Sequence, residues 1–161
     1  MTAILVTGMS GTGKSTVLVE LARRGYRVVD TDRGGWSEEV PTADGSGTEQ
    51  LWREERIRAL LAEPVAGPLF VSGCVANQGK FSGQFAANVL LSVPEPTLLS
   101  RLAVRETNDF GKTDAELARI LDDLHAVEPL LRAAASDEID TRRSVSEVAD
   151  LLESIASRSD P

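Results

Sequence analysis

Short, uniformly apolar runs alternate along this chain with longer stretches whose apolar residues recur every three or four positions. The first pattern is that of strands buried on both faces, the second that of helices with one face on a core. Ala3-Ile4-Leu5-Val6 predicts a first strand, and residues 14–24, with Val17, Leu18, Leu21 and Ala22 on one face, a helix that Arg24-Gly25 ends. Tyr26-Arg27-Val28-Val29 reads as a second strand, followed by a substrate-side loop over 33–47, rich in Gly, Ser, Thr and acidic residues. A charged helix is expected over 49–63, with Leu51, Trp52, Ile57, Leu60 and Leu61 as its apolar positions and Pro64 and Gly67-Pro68 closing it. Strands over 69–71 and 87–93 bracket a loop with a short helix, and a helix over 94–104 begins with proline. The polar and basic stretch 105–113 suits a flap. A long helix over 114–135 is capped by Thr113 with Glu116 three residues on, and Pro129 kinks or splits it. Glu138-Ile139-Asp140 is a weak fifth strand, 144–156 a last helix, and 157–161 a frayed tail.

Strands and helices alternating at this length imply an α/β fold of three layers, a doubly wound, five-stranded parallel sheet between helices, in a single domain spanning 1–161. The net charge of −8 argues against nucleic acid and anionic membranes as partners, so an anionic substrate would need a local basic pocket. Cys74 is the only cysteine, which excludes an intrachain disulfide and points to a reducing, cytoplasmic setting. No signal peptide opens the sequence, and no apolar run has the length of a membrane span. A small-molecule partner and a monomer or weak dimer are the expectation.

The chemistry concentrates in Gly8-Met-Ser-Gly-Thr-Gly-Lys14-Ser15, which matches the phosphate-binding loop G-x-x-x-x-G-K-[ST] at every fixed position. Strand, glycine-rich loop and helix together put an anion at a helix N-terminus. Gly8, Ser10, Gly11, Thr12 and Gly13, with Thr16 in the first turn of the helix, form the nucleotide cradle. Lys14 serves the β/γ-phosphates, and Ser15 offers a hydroxyl to Mg²⁺. The second strand runs into Asp30-Thr31-Asp32, two carboxylates on one side of an extended chain and beyond the carboxyl end of a strand, where ligands of open α/β sheets bind. One carboxylate can hold Mg²⁺ and the other can take a proton from an attacking hydroxyl. Turn capping is the competing use, which a neighbouring phosphate loop makes the weaker one. Arg101, Arg105 and Lys112 bracket the flap, as cations that close over a transferring phosphoryl group or as ordinary cations at a helix end. Arg53, Arg56 and Arg58 either bind an acidic acceptor or pair with neighbouring glutamates. Trp36 and Trp52 either wall the acceptor pocket or pack in the core, and the lone His125 has no partners at metal spacing.

These segments resemble the small P-loop kinases of the shikimate kinase, gluconate kinase and adenylate kinase group, within the AAA-type P-loop NTPase superfamily. The resemblance spans nearly the whole chain, with the phosphate loop its most specific part. It implies ATP and Mg²⁺ as cofactors. It gives Asp30, beside Ser15, to the metal, and Asp32 to the acceptor hydroxyl. Trp52-Arg53 falls where shikimate kinases carry an aromatic-Arg pair that grips the substrate carboxylate. Arg105 and Lys112 have the spacing of the adenine-stacking arginine and the flap cation. Ile139-Asp140-Thr141, with Arg142, matches the loop bordering adenine. Two departures count against shikimate itself. Ser72-Gly73-Cys74 replaces a triple-glycine substrate loop, which leaves Gly73 as its substrate contact, and Val127 stands where a second substrate arginine is expected.

The function expected is phosphoryl transfer from ATP to a hydroxyl, or a phosphate, of a small metabolite. A nucleoside-monophosphate kinase and a nucleotide-binding or hydrolysing module without kinase activity are the alternatives. A GTP switch would carry Asn-Lys-x-Asp and, after the third strand, Asp-x-x-Gly, neither of which occurs. A motor ATPase would end the third strand with an acidic residue, where this chain has Ser72-Gly73.

Overall fold

The computed structural model describes residues 2–64, 66–104 and 114–159, without the side chains of Asp114 and Glu116. The flap over 105–113, with Arg105, Lys112 and Thr113, lies outside the described residues, as do the side chain of Glu116 and the last two residues.

The apolar runs form the sheet. In chain order the elements are β1 (Thr2–Thr7), α1 (Lys14–Arg23), β2 (Arg27–Asp30), β3 (Ser37–Pro41), β4 (Thr48–Trp52), α2 (Glu54–Ala62), β5 (Pro68–Ser72), a 3₁₀ turn (Gln78–Gln84), β6 (Ala87–Ser92), α3 (Glu95–Ala103), α4 (Asp114–Ala134), β7 (Asp137–Asp140) and α5 (Val145–Ser159). Five strands pair in the order β2-β5-β1-β6-β7, every pair parallel. β1 is central and buried along its whole length, and its side chains divide by parity, as a pleated strand requires. Ile4 and Val6 pack with Val17, Leu18 and Leu21 of α1 and Leu152 of α5. Ala3 and Leu5 face Ile57 and Leu60 of α2 with Trp52, Phe81 and Phe85. A third cluster, Leu98 and Leu102 with Ile120 and Leu124, joins α3 to α4. No helix among the described residues is long and apolar enough to cross a membrane.

Three expectations need correction. The helix over 49–63 starts only at Glu54. The residues before it form β4, paired antiparallel with β3 in a two-stranded hairpin from Ser37↔Trp52 to Pro41↔Thr48. Thr48-Glu49-Gln50-Leu51-Trp52 carries no apolar–polar alternation to mark a strand, while Leu51, Trp52 and Ile57 fit helical spacing, and the ladder to Ser37–Pro41 decides the case. The substrate-side loop is therefore largely this hairpin, closed by a turn in which Asp44 accepts hydrogen bonds from Thr42 Oγ1, Ser46 N and Ser46 Oγ. Pro129, expected to kink or split α4, lies inside one continuous helix, which excludes only the split. The hydrogen bond it removes would have gone to the carbonyl of His125, a solvent-exposed residue. Finally, α5 runs on to Ser159 rather than fraying at 157, with Arg158 paired to Asp137 at 2.7 Å.

Candidate active site

β1 delivers the chain into the phosphate loop, which turns into α1. Gly8 sits at φ +152°, and a Cβ there would come within 2.5 Å of the Leu91 carbonyl oxygen, so only glycine fits. Gly13 sits at φ +100° with open space where its side chain would be, which leaves the mouth of the loop clear for a ligand. The Lys14 ammonium bends back over the loop and donates to the carbonyls of Gly8 (2.5 Å) and Met9 (3.2 Å), while Thr12 Oγ1 donates to Met9 at 2.8 Å. Ser15 Oγ donates to Asp30 Oδ2 at 3.0 Å, and Asp32 N to Asp30 Oδ1 at 3.1 Å. A hydroxyl and a carboxylate side by side at the end of the loop are hard oxygen donors of the kind Mg²⁺ takes. Among the described residues no group of three or more His, Cys, Asp or Glu is arranged to hold a metal by itself.

Two clefts open on either side of this loop. The first, of about 270 Å³, is lined by Gly11, Thr12, Gly13 and Thr16 together with Arg101, Thr141, Arg143, Val145 and Val148. Arg101 spans it as a staple: its guanidinium donates to Gly11 O (3.2 Å), Thr141 Oγ1 (3.1 Å) and Thr141 O (2.5 Å). Thr141 Oγ1 in turn donates to Thr12 O at 2.7 Å, so phosphate loop, α3 and the β7–α5 loop are bonded into one unit. Asp140 and Arg142 do not line this cleft. They pair with each other at 2.6 Å, and that guanidinium holds the Asp140 carboxyl below its usual range. The neighbouring Arg143 faces the cleft instead, a position the sequence reading missed for want of any signal separating two consecutive arginines.

The second cleft, of about 410 Å³, lies on the other side of Lys14. Gly8, Met9, Ser10 and Lys14 form one wall, Asp32 and the β4 residues Glu49 and Gln50 another, Cys74-Val75-Ala76 the third, and Asp123, Val127 and Leu131 of α4 the fourth. Lys14 and Asp32 thus share a cleft, and Ser10, expected on the nucleotide side, lines this one. Burial pushes the Cys74 thiol up, with Lys14 opposing and the Asp32 and Asp123 carboxylates adding to the rise.

Several expected acceptor residues are directed elsewhere. Arg53 is half-exposed and pairs with Glu38 at 3.3 Å. Arg56 donates to Gly34 O at 2.8 Å and stacks over Trp36 at 4.0 Å, which turns that indole into a support for an arginine. Arg58 pairs with Glu54 at 3.0 Å. Gly73 does not line the cleft, and a Cβ there would collide with Thr31 Oγ1 and meet the Trp52 ring at 3.2 Å. Trp52 is 1% exposed, stacked edgewise on Phe81, with Nε1 donating to Thr31 Oγ1 at 2.9 Å. His125 is exposed and pairs with Glu95 at 2.6 Å.

Two residues that the sequence reading left unassigned hold the second cleft in place. Buried Asn77 bonds both backbone groups of Trp52, accepting from N at 2.8 Å and donating to O at 3.0 Å. Gln78 donates to Thr7 Oγ1 at 3.1 Å and accepts from Val75 N at 2.9 Å. The adjacent polar pair between apolar strands was the available signal.

The family model described as an AAA domain matches residues 4–122. Comparison with curated proteins returns no match. Among solved structures, the chain is similar to the shikimate kinase from Acinetobacter baumannii in complex with shikimate, at 22% identity and TM-score 0.63, covering 98% of this chain and 94% of that one. It is likewise similar to a gluconokinase from Sinorhizobium meliloti 1021, at 20% identity and TM-score 0.60, covering 98% and 92%. A sugar kinase from Janibacter sp. HTCC2649 aligns at 18% identity and TM-score 0.57 over 100% and 99%. With the match to residues 4–122 spanning well over half its length, this chain belongs to the AAA domain family of P-loop proteins, and its fold is that of the small P-loop kinases.

Proposed function

We propose that this chain is an ATP-dependent small-molecule kinase that transfers the γ-phosphoryl group to a hydroxyl of an acceptor held in the cleft between the phosphate loop, β4 and α4. The observation that carries this reading is that Lys14 and Asp32 line one cleft, with the nucleotide-side cleft on the opposite flank of the same loop. The loop amides and Lys14 would hold the transferring phosphates, and transition-state charge is best met by donors already in position. Asp32, beyond the end of β2, would orient the acceptor hydroxyl and take its proton as the new P–O bond forms. Ser15 and Asp30 would hold Mg²⁺, which when bound offsets the negative charge of the phosphates. Arg101 would keep the nucleotide cleft in shape through Gly11 and Thr141.

A hydroxyl is favoured over a phosphate as acceptor. Phosphate recognition needs free guanidinium groups, whereas Arg53, Arg56 and Arg58 are each engaged with a carboxylate or carbonyl. Action on shikimate is expected to be poor, below about 10⁴ M⁻¹s⁻¹ in kcat/KM, the low end for dedicated enzymes. A single catalytic domain over 1–161, a cytoplasmic setting and a monomer or weak dimer complete the reading. The test is ADP formation across a panel of sugar alcohols, sugar acids, nucleosides, nucleoside monophosphates and amino alcohols, with Lys14→Ala as the control. Acceptor-dependent ADP release that this variant lacks supports the reading. ATP binding without acceptor-dependent release from any panel member overturns it.

A further inference from the structure

The walls of the acceptor cleft carry three carboxylates from three separate elements: Asp32 after β2, Glu49 on β4 and Asp123 on α4. None of the three forms an ion pair with a described residue. Lys14 is the only cation among the described residues lining the cleft, and it lies at the phosphate-loop end. The arginines at the start of α2 and within it are turned away, Arg53 to Glu38 and Arg58 to Glu54. From the cleft wall, the Cys74 thiol feels Lys14, Asp32 and Asp123 together, as expected of groups that converge on one space. Met9, Val75, Val127 and Leu131 supply apolar lining beside the polar Ser10 and Gln50. An acidic acceptor entering here would meet like charges on three sides.

Resting on the kinase reading, we propose that the acceptor is an alcohol bearing a protonated amine, with Glu49 and Asp123 holding the ammonium and Asp32 facing the hydroxyl. In the transfer, the acceptor oxygen forms a bond to the γ-phosphorus while the bond from that phosphorus to the β,γ-bridging oxygen breaks. ADP leaves with that electron pair. The hydroxyl proton passes to Asp32 and from there to water. The ammonium stays protonated throughout and serves only to bind and orient. Glu49 belongs to the hairpin and Asp123 to α4, so an ammonium between them ties two otherwise separate walls to one ligand.

Cys74 is the only cysteine of the chain and lines the cleft, so it reports the charge there independently of catalysis. Its modification rate is measured with a trimethylammonium-ethyl and a sulfonatoethyl methanethiosulfonate, each divided by the rate with 2-mercaptoethanol. Both reagents meet the same thiolate, so their ratio cancels any change in thiol ionisation. The cationic reagent should be favoured by about tenfold or more, the scale on which a one-signed cleft raises encounter rates. Glu49→Gln and Asp123→Asn should each lower that ratio by about threefold at low salt. A ratio near unity, or one unmoved by both variants, overturns the inference. In turnover, each amino alcohol or amino sugar of a panel is compared with its N-acetylated form and with gluconate and shikimate. Amines should lead by about tenfold in kcat/KM, the worth of one charge-assisted contact. Preference for the acetylated or acidic members overturns the inference. Absence of ADP formation from every acceptor overturns the kinase reading instead, while the thiol ratio still decides the charge of the cleft.

Discussion

The two clefts flanking the phosphate loop are built by opposite means. On the nucleotide side, a contiguous stretch supplies the cradle, and Arg101 and Thr141 bond it to α3 and the β7–α5 loop through short, partly buried contacts. On the acceptor side, the walls come from the loop, the end of β2, the hairpin, the segment after β5 and α4. Much of β3 is exposed, and the hairpin is tied to the rest through few bonds, among them those of Asn77 to Trp52 and of Ala76 N to Gln50 O. A phosphate chain presents the same geometry whatever the acceptor, so backbone amides locked by a staple suffice for it. On the proposed reading, discrimination among acceptors would need side chains that can be exchanged, which a hairpin with a light attachment would supply.

The largest effect that tests this division is expected at Lys14. It lines the acceptor-side cleft from the phosphate loop, and Lys14→Ala should lower turnover by on the order of 10³–10⁵-fold, the scale for one charge aimed at a transferring phosphoryl group. The thermal midpoint should move by no more than about 2 °C, because the side chain lies in an open loop mouth rather than in the core. Full turnover in that variant would remove the assignment of the loop. Asp32→Asn comes next. It keeps the size of the side chain but removes the proton acceptor, and kcat should fall by about 10²–10⁴-fold with ATP affinity retained. Loss of ATP binding instead would move Asp32 to the nucleotide side of the comparison.

Arg101→Ala separates the sides in the other direction. The guanidinium makes charge-assisted bonds to Gly11 and Thr141, each worth about 1.5–3 kcal/mol when intact. The KM for ATP should rise by about tenfold or more while the acceptor KM stays put. An equal rise in both would mean that the staple shapes the whole loop and not one flank of it.

The same contrast explains what could be read from the chain. The sheet was legible because Ala3–Val6, Leu69–Val71 and the run beginning at Ala87 are apolar on both faces, a pattern with few other uses. The glycine-rich loop was legible because its pattern sits in eight consecutive residues. The hairpin was not, because Thr48–Trp52 lacks the alternation of a half-buried strand and Leu51 and Trp52 fit a helix face, so only the ladder to β3 decides it. Nor could spacing show that Arg53 would meet Glu38 across that hairpin, or that Asp123 would stand opposite the phosphate loop 109 positions after Lys14. Such placements depend on crossovers between strands and not on any local signal.

Asn77 offers a test by stability alone. Its side chain satisfies both backbone groups of buried Trp52, and Asn77→Ala would leave them unpaired. At about 1–3 kcal/mol for each unsatisfied buried group, a loss of about 2–6 kcal/mol is expected in denaturant unfolding. Hydrogen exchange should rise in β3 and β4 before it rises in the phosphate loop. A uniform rise would show that the two sides unfold together and that the hairpin is no lighter in attachment than the cradle.

The smallest effect expected is that of acid, which compares one carboxylate from each side. Glu20 on α1 bonds Arg23 and Arg24, and these guanidinium groups hold its carboxyl down at about 2. Asp44 at the hairpin tip is held down at about 2 by the hydroxyl and amide of Ser46 and the hydroxyl of Thr42. A carboxyl depressed in the folded state contributes stability that is complete above its unfolded value, near 4, and is lost as pH falls through the folded value. Both contributions should therefore be present at neutral pH and fade between about pH 4 and pH 2. The two differ in what is lost. Arg24 also reaches Asp150 and Glu153 on α5, so protonating Glu20 leaves that arginine anchored. Asp44 has only its own turn, so protonation should loosen the tip alone. Carboxyl carbon shifts followed by NMR from pH 6 to pH 2 should show both groups titrating near the bottom of that range. Over the same range the amides of 42–47 should lose exchange protection, while those of α1 keep theirs. Early loss of protection in α1 would show that the cradle side depends on Glu20 as closely as the hairpin tip depends on Asp44.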